Sequence, residues 1–549
     1  MGLSVGHNRG AAITVDGILK VAIANERITR IKTDRSDCLP FEAMDYCINT
    51  LDITYDDITI FVYNTTEHAN NIPNEFTWHT NQHLDKLSFI PHHIAHAYST
   101  FHASGYKDAV VVVADAMGSV YNDVTPIKEW YTLDESDLGI GYEWAEGFSI
   151  YEFKDGVAFK SPEPLYKKWV RFPFSNEHEG SIGYLYGVGA RQLVYNEKSN
   201  SWPAGKLMGL ASYADPKYLE GIQNYSTRTL TDLEVPAFRI MGDVTHKDDF
   251  QSKANVAGIY QREQELNSIH LVEMASRISE SKNICVAGGS FLNCNTNELI
   301  IKSELFEGMY FLPPADDSGI AIGCAFAKSN SESFKPTGKF LSPYTGKTYS
   351  NEEIEEATAS FNNIIVTKLK PGEASMQAAA LISTNKVIGW MQDGSESGPR
   401  ALGNRSILAN PCNKWMVEYI NSDIKKREWY RPFAPSVLYD KQAEIFELDT
   451  YSPYMMVTTK VKKEWRDKIP AVTHFDSTAR YQSVTKDNNK KYYDLISNFN
   501  KITGVPVVLN TSFNGPEEPI VETPTDALNT MLKHDLFAVI INDYLITRA

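Results

Sequence analysis

The chain opens on an apolar stretch, Leu3-Ser4-Val5-Gly6, then continues through Ala11-Ala12-Ile13-Thr14-Val15, turns at Asp16-Gly17 and resumes at Ile18-Leu19-Lys20-Val21-Ala22-Ile23. That pattern predicts one strand followed by two strands joined through an Asp-Gly turn. A continuous apolar run from Ala109 to Ala114 predicts a buried strand that ends in Asp115 and the turn Met117-Gly118-Ser119. Ile284-Cys285-Val286 predicts another, running into Ala287-Gly288-Gly289-Ser290, and His92-His93-Ile94-Ala95-His96 opens a helix. From Lys328 to Thr348 the chain turns polar and rich in Ser, Pro, Gly and Lys, with Phe340-Leu341 its clear apolar pair, as a linker would. Beyond it, Glu352 to Ser360 and Ala374 to Thr384 read as helices, Val387-Ile388-Gly389-Trp390 as a short buried strand, and Val505 to Leu509 as a strand leading into Asn510-Thr511-Ser512-Phe513-Asn514. Such an order of elements is α/β.

Length and composition narrow the class. At 549 residues the chain exceeds what one core normally holds, so two domains are expected, residues 1–335 and 336–549. A hydrophobic content of 42% is that of a globular protein, and a net charge of −16 disfavours a broadly basic nucleic-acid surface while leaving room for a local patch such as Lys425-Lys426-Arg427. The six cysteines lack metal-finger spacing and read as reduced and packed. There is no signal-peptide pattern and no apolar run of about 18 residues, so the expected location is the cytoplasm, away from membranes.

The densest chemistry lies in Gly398-Pro399-Arg400-Ala401-Leu402-Gly403-Asn404-Arg405-Ser406, directly after the Val387 strand and its polar tip. Glycines let backbone N–H groups approach an oxyanion, and guanidinium forks donate paired hydrogen bonds to phosphate or carboxylate. Further arginines sit on stiffened or polar segments, Arg431 in Arg431-Pro432-Phe433-Ala434-Pro435 and Arg480 at the end of Thr473 to Arg480. Upstream, His92 and His96 are four apart and share a helix face, which suits two imidazole ligands on one metal, although such a pair more often has a capping or packing role. Asp115, at a strand tip, is a candidate carboxylate partner.

Together these segments resemble the O-carbamoyltransferases of the NodU/CmcH/TobZ type. The likeness runs through Leu3 to Gly17, Glu26 to Lys32, His92 to Ser99, Gly205 to Ala211, Gly288 to Asn293 and Asp317 to Gly323, and then nearly continuously from Gly398 to Ala527. The resemblance implies an actin/sugar-kinase-like ATPase domain with duplicated βα halves, followed by a smaller YrdC-like domain. It further implies ATP-dependent transfer of the carbamoyl group of carbamoyl phosphate, through carbamoyl-adenylate, to an acceptor hydroxyl. Carried over residue by residue, Lys32, Arg400, Arg431, Arg480 and Asn510 would surround carbamoyl phosphate. Gly180, Gly183, Lys206, Gly288, Gly289, Asn293 and Asp317 would line ATP, and His92 and His96 with Asp317 or Asp115 would hold a divalent metal, Fe(II), Mn or Mg. His7 stands where the family has a His that can act as base toward the acceptor, but it is followed by Asn8-Arg9 rather than the usual Asp-Ser. That departure leaves the acceptor open between a small sugar or polyketide and a hydroxymethylated pyrimidine such as 5-hydroxymethylcytosine in DNA. The alternatives are an N-carbamoylating enzyme of the tRNA threonylcarbamoyladenosine kind and a non-catalytic ATP-binding scaffold.

Overall fold

The structure is a computed structural model, and it describes residues 1–36, 38–64, 72–119, 143–158, 164–172, 181–194, 203–220, 249–328 and 338–549. The architecture is mixed α/β. The chain divides into two compact units, one of Met1–Glu26 with Thr33–Leu341, the other of Arg27–Lys32 with Ser342–Ala549.

Among the described residues the first unit contains two larger sheets built on one plan, besides a two-stranded pairing of Gly6–His7 with Arg35–Ser36. In the first sheet, Gly2–Ser4 lies between the antiparallel pair Gly10–Val15 and Ile18–Ala24 on one side and the parallel strands Phe61–Asn64 and Leu87–Phe89 on the other. In the second, Ala109–Ala114 has antiparallel Glu143–Lys154 and Val157–Ala158 on one side and parallel Asn283–Ala287 and Gly308–Phe311 on the other. Strand order and polarity are therefore duplicated although no residue repeat is visible. Tyr166–Phe172 adds to the second sheet by pairing with Glu143–Lys154.

Each sheet sends the helix that follows its last strand onto the other sheet. His92–Ser104 leaves the first sheet and packs on the second, whereas Ile320–Ala327 leaves the second and packs on the first. The two helices also pack on each other, so closely that a β-carbon on Gly323 would stand 1.8 Å from the carbonyl oxygen of Ala95. Their amino-terminal ends thereby fall near the tip of Ala109–Ala114. That strand is wholly buried, which explains its unbroken apolar sequence: a strand covered on both faces has no polar alternation.

The second unit centres on a nine-stranded mixed sheet in the order Ile364–Lys368, Tyr544–Arg548, Ala538–Ile541, Ile388–Met391, Arg405–Ala409, Val507–Ser512, Ala434–Leu438, Thr478–Val484, Val457–Lys460. The expected helices appear as Asn351–Ala359, opened by a Ser350/Glu353 capping box, and Glu373–Ser383. The last strand expectation needs correcting: pairing runs on to Ser512, so Asn510 lies inside a strand instead of in a loop after it. In the expected linker, Phe340 packs on Tyr310 and Tyr106 of the first unit, with ring centroids 4.8 and 6.3 Å away. All six cysteines are free thiols.

Candidate active site

In the first unit, four buried side chains converge from three elements. His92 and His96 come from the first turns of His92–Ser104, Asp115 from the tip of Ala109–Ala114, and Asp317 from the turn before Ile320–Ala327. Nε2 of each histidine lies 3.2 Å from Asp115 Oδ2 and 3.4 Å from Asp317 Oδ1, and one ligand atom from each of the four residues falls within a 4.8 Å span. Burial alone would strip the proton from His92, yet Asp317 and Asp115 outweigh it and raise its pKa to about 10. For His96 burial likewise opposes protonation, and its bonds to Asp115 and Asp317 prevail, raising its pKa. Burial would push Asp115 up, and the two histidines hold it well below the usual carboxylate range. Two imidazoles and two carboxylates sharing so small a volume are a donor set for a borderline or hard divalent cation. The Asn64 carboxamide, 2.9 Å from His92 Nδ1, fixes the ring with Nε2 toward the carboxylates. The structure thus brings both expected carboxylates, Asp115 and Asp317, into one cluster with the histidine pair.

The glycine turns next to this cluster are built into its frame. Gly288 donates its N–H to Ala315 O at 2.7 Å, and Gly289 N–H points to Asp115 Oδ1 at 3.3 Å, so neither amide is an open phosphate donor. Gly288 is demanded by geometry, since its φ is +96° and a β-carbon there would meet Ala114 O at 2.1 Å. Gly183, in the first turn of Ile182–Val194, lies against the backbone of Asp115 and Ala116. Asn293 caps Cys294–Lys302 by accepting from Thr296 N–H and exchanges amide hydrogen bonds with Gln261. Lys206 is half-buried on Ala204–Ala211. Gly180 lies outside the described residues, as does the side chain of His7, whose backbone pairs with Arg35.

The Asn8-Arg9 pair is also clarified. Arg9 turns inward, with its guanidinium 2.7 Å from Asp34 Oδ2 and donating to Leu39 O at 2.9 Å. Both terminal nitrogens of its guanidinium are thus spent inside the unit. Asn8 directs its amide toward Asp316 Oδ2 at 3.5 Å.

In the second unit the Gly398–Ser406 loop is wound around an internal carboxylate. Glu396 Oε1 accepts from Leu402 N–H at 2.5 Å, Arg405 N–H at 3.3 Å and Asn404 N–H at 3.4 Å, while Gly403 N–H donates to Ser406 Oγ. These amides are not available to an external oxyanion. Arg405 is fully buried, donating to the carbonyls of Gln392, Asp393, Asn404 and Glu522, with the Glu522 carboxylate 3.8 Å away. It is a clamp inside the unit. Asn510 points its amide at Ala401 O (3.1 Å), Ser436 Oγ and Gln482 Oε1, holding the loop that carries Arg400. That amide is engaged inside the unit.

The cations gather elsewhere in this unit. Burial lowers the pKa values of Lys425, Arg427 and Arg431; Arg427, Lys32 and Arg431 lower Lys425 further, Arg431 and Arg480 lower Arg427, and Arg480 lowers Arg431, while Glu518 opposes at Lys425 and Glu428 at the two arginines. Arg480 Nε is buried without a hydrogen-bond partner. Lys425 and Arg427 were expected on a surface patch and instead turn inward. A π-helical turn over Ile420–Ile424 precedes them, and Lys425 Nζ reaches Ser512 O and Asn514 Oδ1, while Arg427 Nε donates to Asn421 Oδ1 and its guanidinium lies over Phe433. Lys426 alone of the three faces solvent. Lys32 arrives on Arg27–Lys32, which is held in this unit by Arg27 donating to Gly398 O and Arg30 to Pro519 O and Ile520 O. Beside Arg480, burial drops the His474 pKa to about 4.

A duplicated α/β unit with a histidine–carboxylate cluster, and a second unit with a crowded cationic site, thus define the chain. Residues 72–326 match the family described as Carbamoyltransferase N-terminus and residues 379–548 that described as Carbamoyltransferase C-terminus. Nodulation protein NolNO of Sinorhizobium fredii is 30% identical, across 99% of this chain and 79% of its own, and nodulation protein NolO of Bradyrhizobium diazoefficiens is 31% identical across 83% and 78%. The chain belongs to the carbamoyltransferase family and is a carbamoyltransferase. Among solved structures, full-length HypF in its phosphate- and nucleotide-bound form overlaps 62% of this chain and 56% of its own at 12% identity and a TM-score of 0.35, too loosely to bear on mechanism.

Proposed function

We propose that the protein is an ATP-dependent O-carbamoyltransferase that takes carbamoyl phosphate in its second unit and, in its first, forms carbamoyl-adenylate and passes its carbamoyl group to an acceptor hydroxyl with loss of AMP, an actin/sugar-kinase-like ATPase in this reading. The observation that carries it is the cationic cluster. Lys425, Arg427 and Arg431 are buried with Lys32 and Arg480 close enough to disfavour their charged forms further, a crowding that a bound dianion relieves. Arg431 and Arg480 receive the phosphate oxygens, the unpaired Arg480 Nε supplying one donor. Arg400 is presented by a loop that Glu396 and Asn510 hold in place. In the first unit His92, His96, Asp115 and Asp317 would hold a divalent metal, which offsets charge on the ATP phosphates when bound.

The acceptor is a hydroxyl on a small molecule. Arg9, Lys425 and Arg427, the cations that kept a polymeric acceptor in view, all turn inward. The test is incubation with ATP, carbamoyl phosphate and a panel of hydroxylated acceptors, including 5-hydroxymethylcytosine DNA. A mass gain of one carbamoyl group on a small alcohol is expected, with AMP and pyrophosphate from ATP and phosphate from carbamoyl phosphate as co-products. ADP in place of AMP and pyrophosphate would remove the adenylate.

A further inference from the structure

We propose that Glu146, neutralised by Lys167, is the positioning residue that sets the spacing of the histidine–carboxylate cluster, an inference that rests on reading the cluster as a metal site. Glu146 lies on Glu143–Lys154, the antiparallel neighbour of Ala109–Ala114, and is fully buried. One carboxylate oxygen, Oε2, accepts from His93 N–H at 3.1 Å and from Ser119 N–H at 2.9 Å. The first bond anchors the opening turn of the helix that carries His92 and His96, and the second anchors the turn that follows Asp115. The main chain of Glu146 doubles the second anchor: Gly118 N–H donates to Glu146 O at 2.9 Å and Glu146 N–H to Ser119 O at 3.1 Å. Ser119 closes the circuit by accepting His92 N–H on its hydroxyl at 2.9 Å. Three of the four clustered donors, from two elements, are thus tied to one side chain that touches none of them through its carboxylate.

The chemistry of the side chain fits that task. A carboxylate is favoured at a helix amino terminus, where N–H groups lack partners. Buried without a counter-charge it would be strongly disfavoured. Lys167, on Tyr166–Phe172, supplies the counter-charge at Oε1, and its own side chain is 7% exposed. The space is closed on the remaining side, because a β-carbon on Gly118 would meet both Glu146 and the His93 ring.

The test uses the full chain and two double variants that leave no orphaned ammonium, Glu146→Ala/Lys167→Met and Glu146→Gln/Lys167→Met, with Glu146→Asp as a milder change that keeps the charge and shortens the reach. Hydrogen exchange by mass spectrometry is followed over His92 to His96 and Asp115 to Ser119, and Co(II) is titrated with its ligand-field bands as the readout. In the Ala double variant, or in Glu146→Asp should the former fail to fold, exchange in both segments should rise about tenfold with the second unit unchanged. Co(II) affinity should fall 10–100-fold, as the loss of an outer hydrogen bond to a metal site typically causes. The Gln double variant, which still accepts both N–H groups, should recover both readouts to within about threefold of wild type. Unchanged exchange in both segments would overturn the proposal. If wild type takes up no Co(II) while exchange rises as expected, the positioning stands and the metal reading falls.

Discussion

His92 and His96 receive opposing instructions, burial favouring the neutral ring and the carboxylates favouring the charged one, and the carboxylates win. A raised pKa contributes stability that is full below the ordinary 6.5 and is lost as pH climbs through the folded value, about 10 for His92. A cation bound at Nε2 takes the place of that proton, so metal uptake near pH 7.5 should release at least about one proton per ion, and affinity should rise with pH until it levels off near the His92 value of about 10. Calorimetry in buffers of differing ionisation enthalpy reads the proton directly; binding with no proton release would mean the rings are already neutral in the free protein. His96→Ala should abolish uptake. The two arginines of the Gly398–Ser406 loop should separate just as cleanly. Arg400→Ala should leave the melting temperature near wild type and weaken carbamoyl phosphate use by on the order of 2–4 kcal/mol. Arg405→Met takes the guanidinium away from the fully buried Glu522 carboxylate and from the four carbonyls it ties together, and should cost about 3–5 kcal/mol of stability, seen as a lower denaturant midpoint. Equal effects of the two changes on stability would put Arg400 in the scaffold as well.

At the scale of elements, the site depends on how strand ends meet helix starts. Gly288 lies where Asn283–Ala287 turns past the tip of Ala109–Ala114, and Gly288→Ala combines a positive φ with a contact at 2.1 Å to Ala114 O. It should destabilise the first unit by about 2 kcal/mol or more and lower metal affinity by displacing Asp115, measurable by denaturant unfolding and Co(II) titration; a variant as stable as wild type would show that the turn relaxes freely. These meeting points also mark what was legible beforehand. Ala109–Ala114 was readable because a doubly covered strand writes an unbroken apolar run, and the His92, His96 spacing because a helix repeats its face every four residues. The long helix Phe250–Ile278 is harder to read: it buries Asn255, Gln261, Glu263, Gln264, Asn267 and Ser268 alongside apolar residues such as Ile259, Leu271 and Val272, so polarity does not mark its inward face. Nor does spacing tell whether a loop amide meets an external anion or its own Glu396. Lys425 and Arg427 were misplaced for a related reason, since a π-helical turn shifts the face that follows it relative to an α-helical count.

For the molecule as a whole, a net charge of −16 must coexist with the handling of anionic substrates. A long-range field of that sign repels carbamoyl phosphate, ATP and nucleic acid alike, so anions can be held only where cations are concentrated locally and partly shielded from water. The cluster of Lys32, Lys425, Arg427, Arg431 and Arg480 meets that condition for a small dianion. It does not supply the extended row of exposed cations that a duplex requires, because each phosphate contact must release a counterion and adds about 0.9 to the salt slope. Transfer to a small hydroxylated acceptor should therefore change little in kcat/KM for that acceptor as salt is raised from 50 to 200 mM (about the range over which polymer binding collapses). 5-Hydroxymethylcytosine DNA should be a poor acceptor at any salt. Efficient carbamoylation of that DNA, falling steeply with salt with a slope of several units, would reveal a basic footprint that Arg9, Lys425 and Arg427 cannot provide from their inward positions, and would overturn the small-molecule assignment.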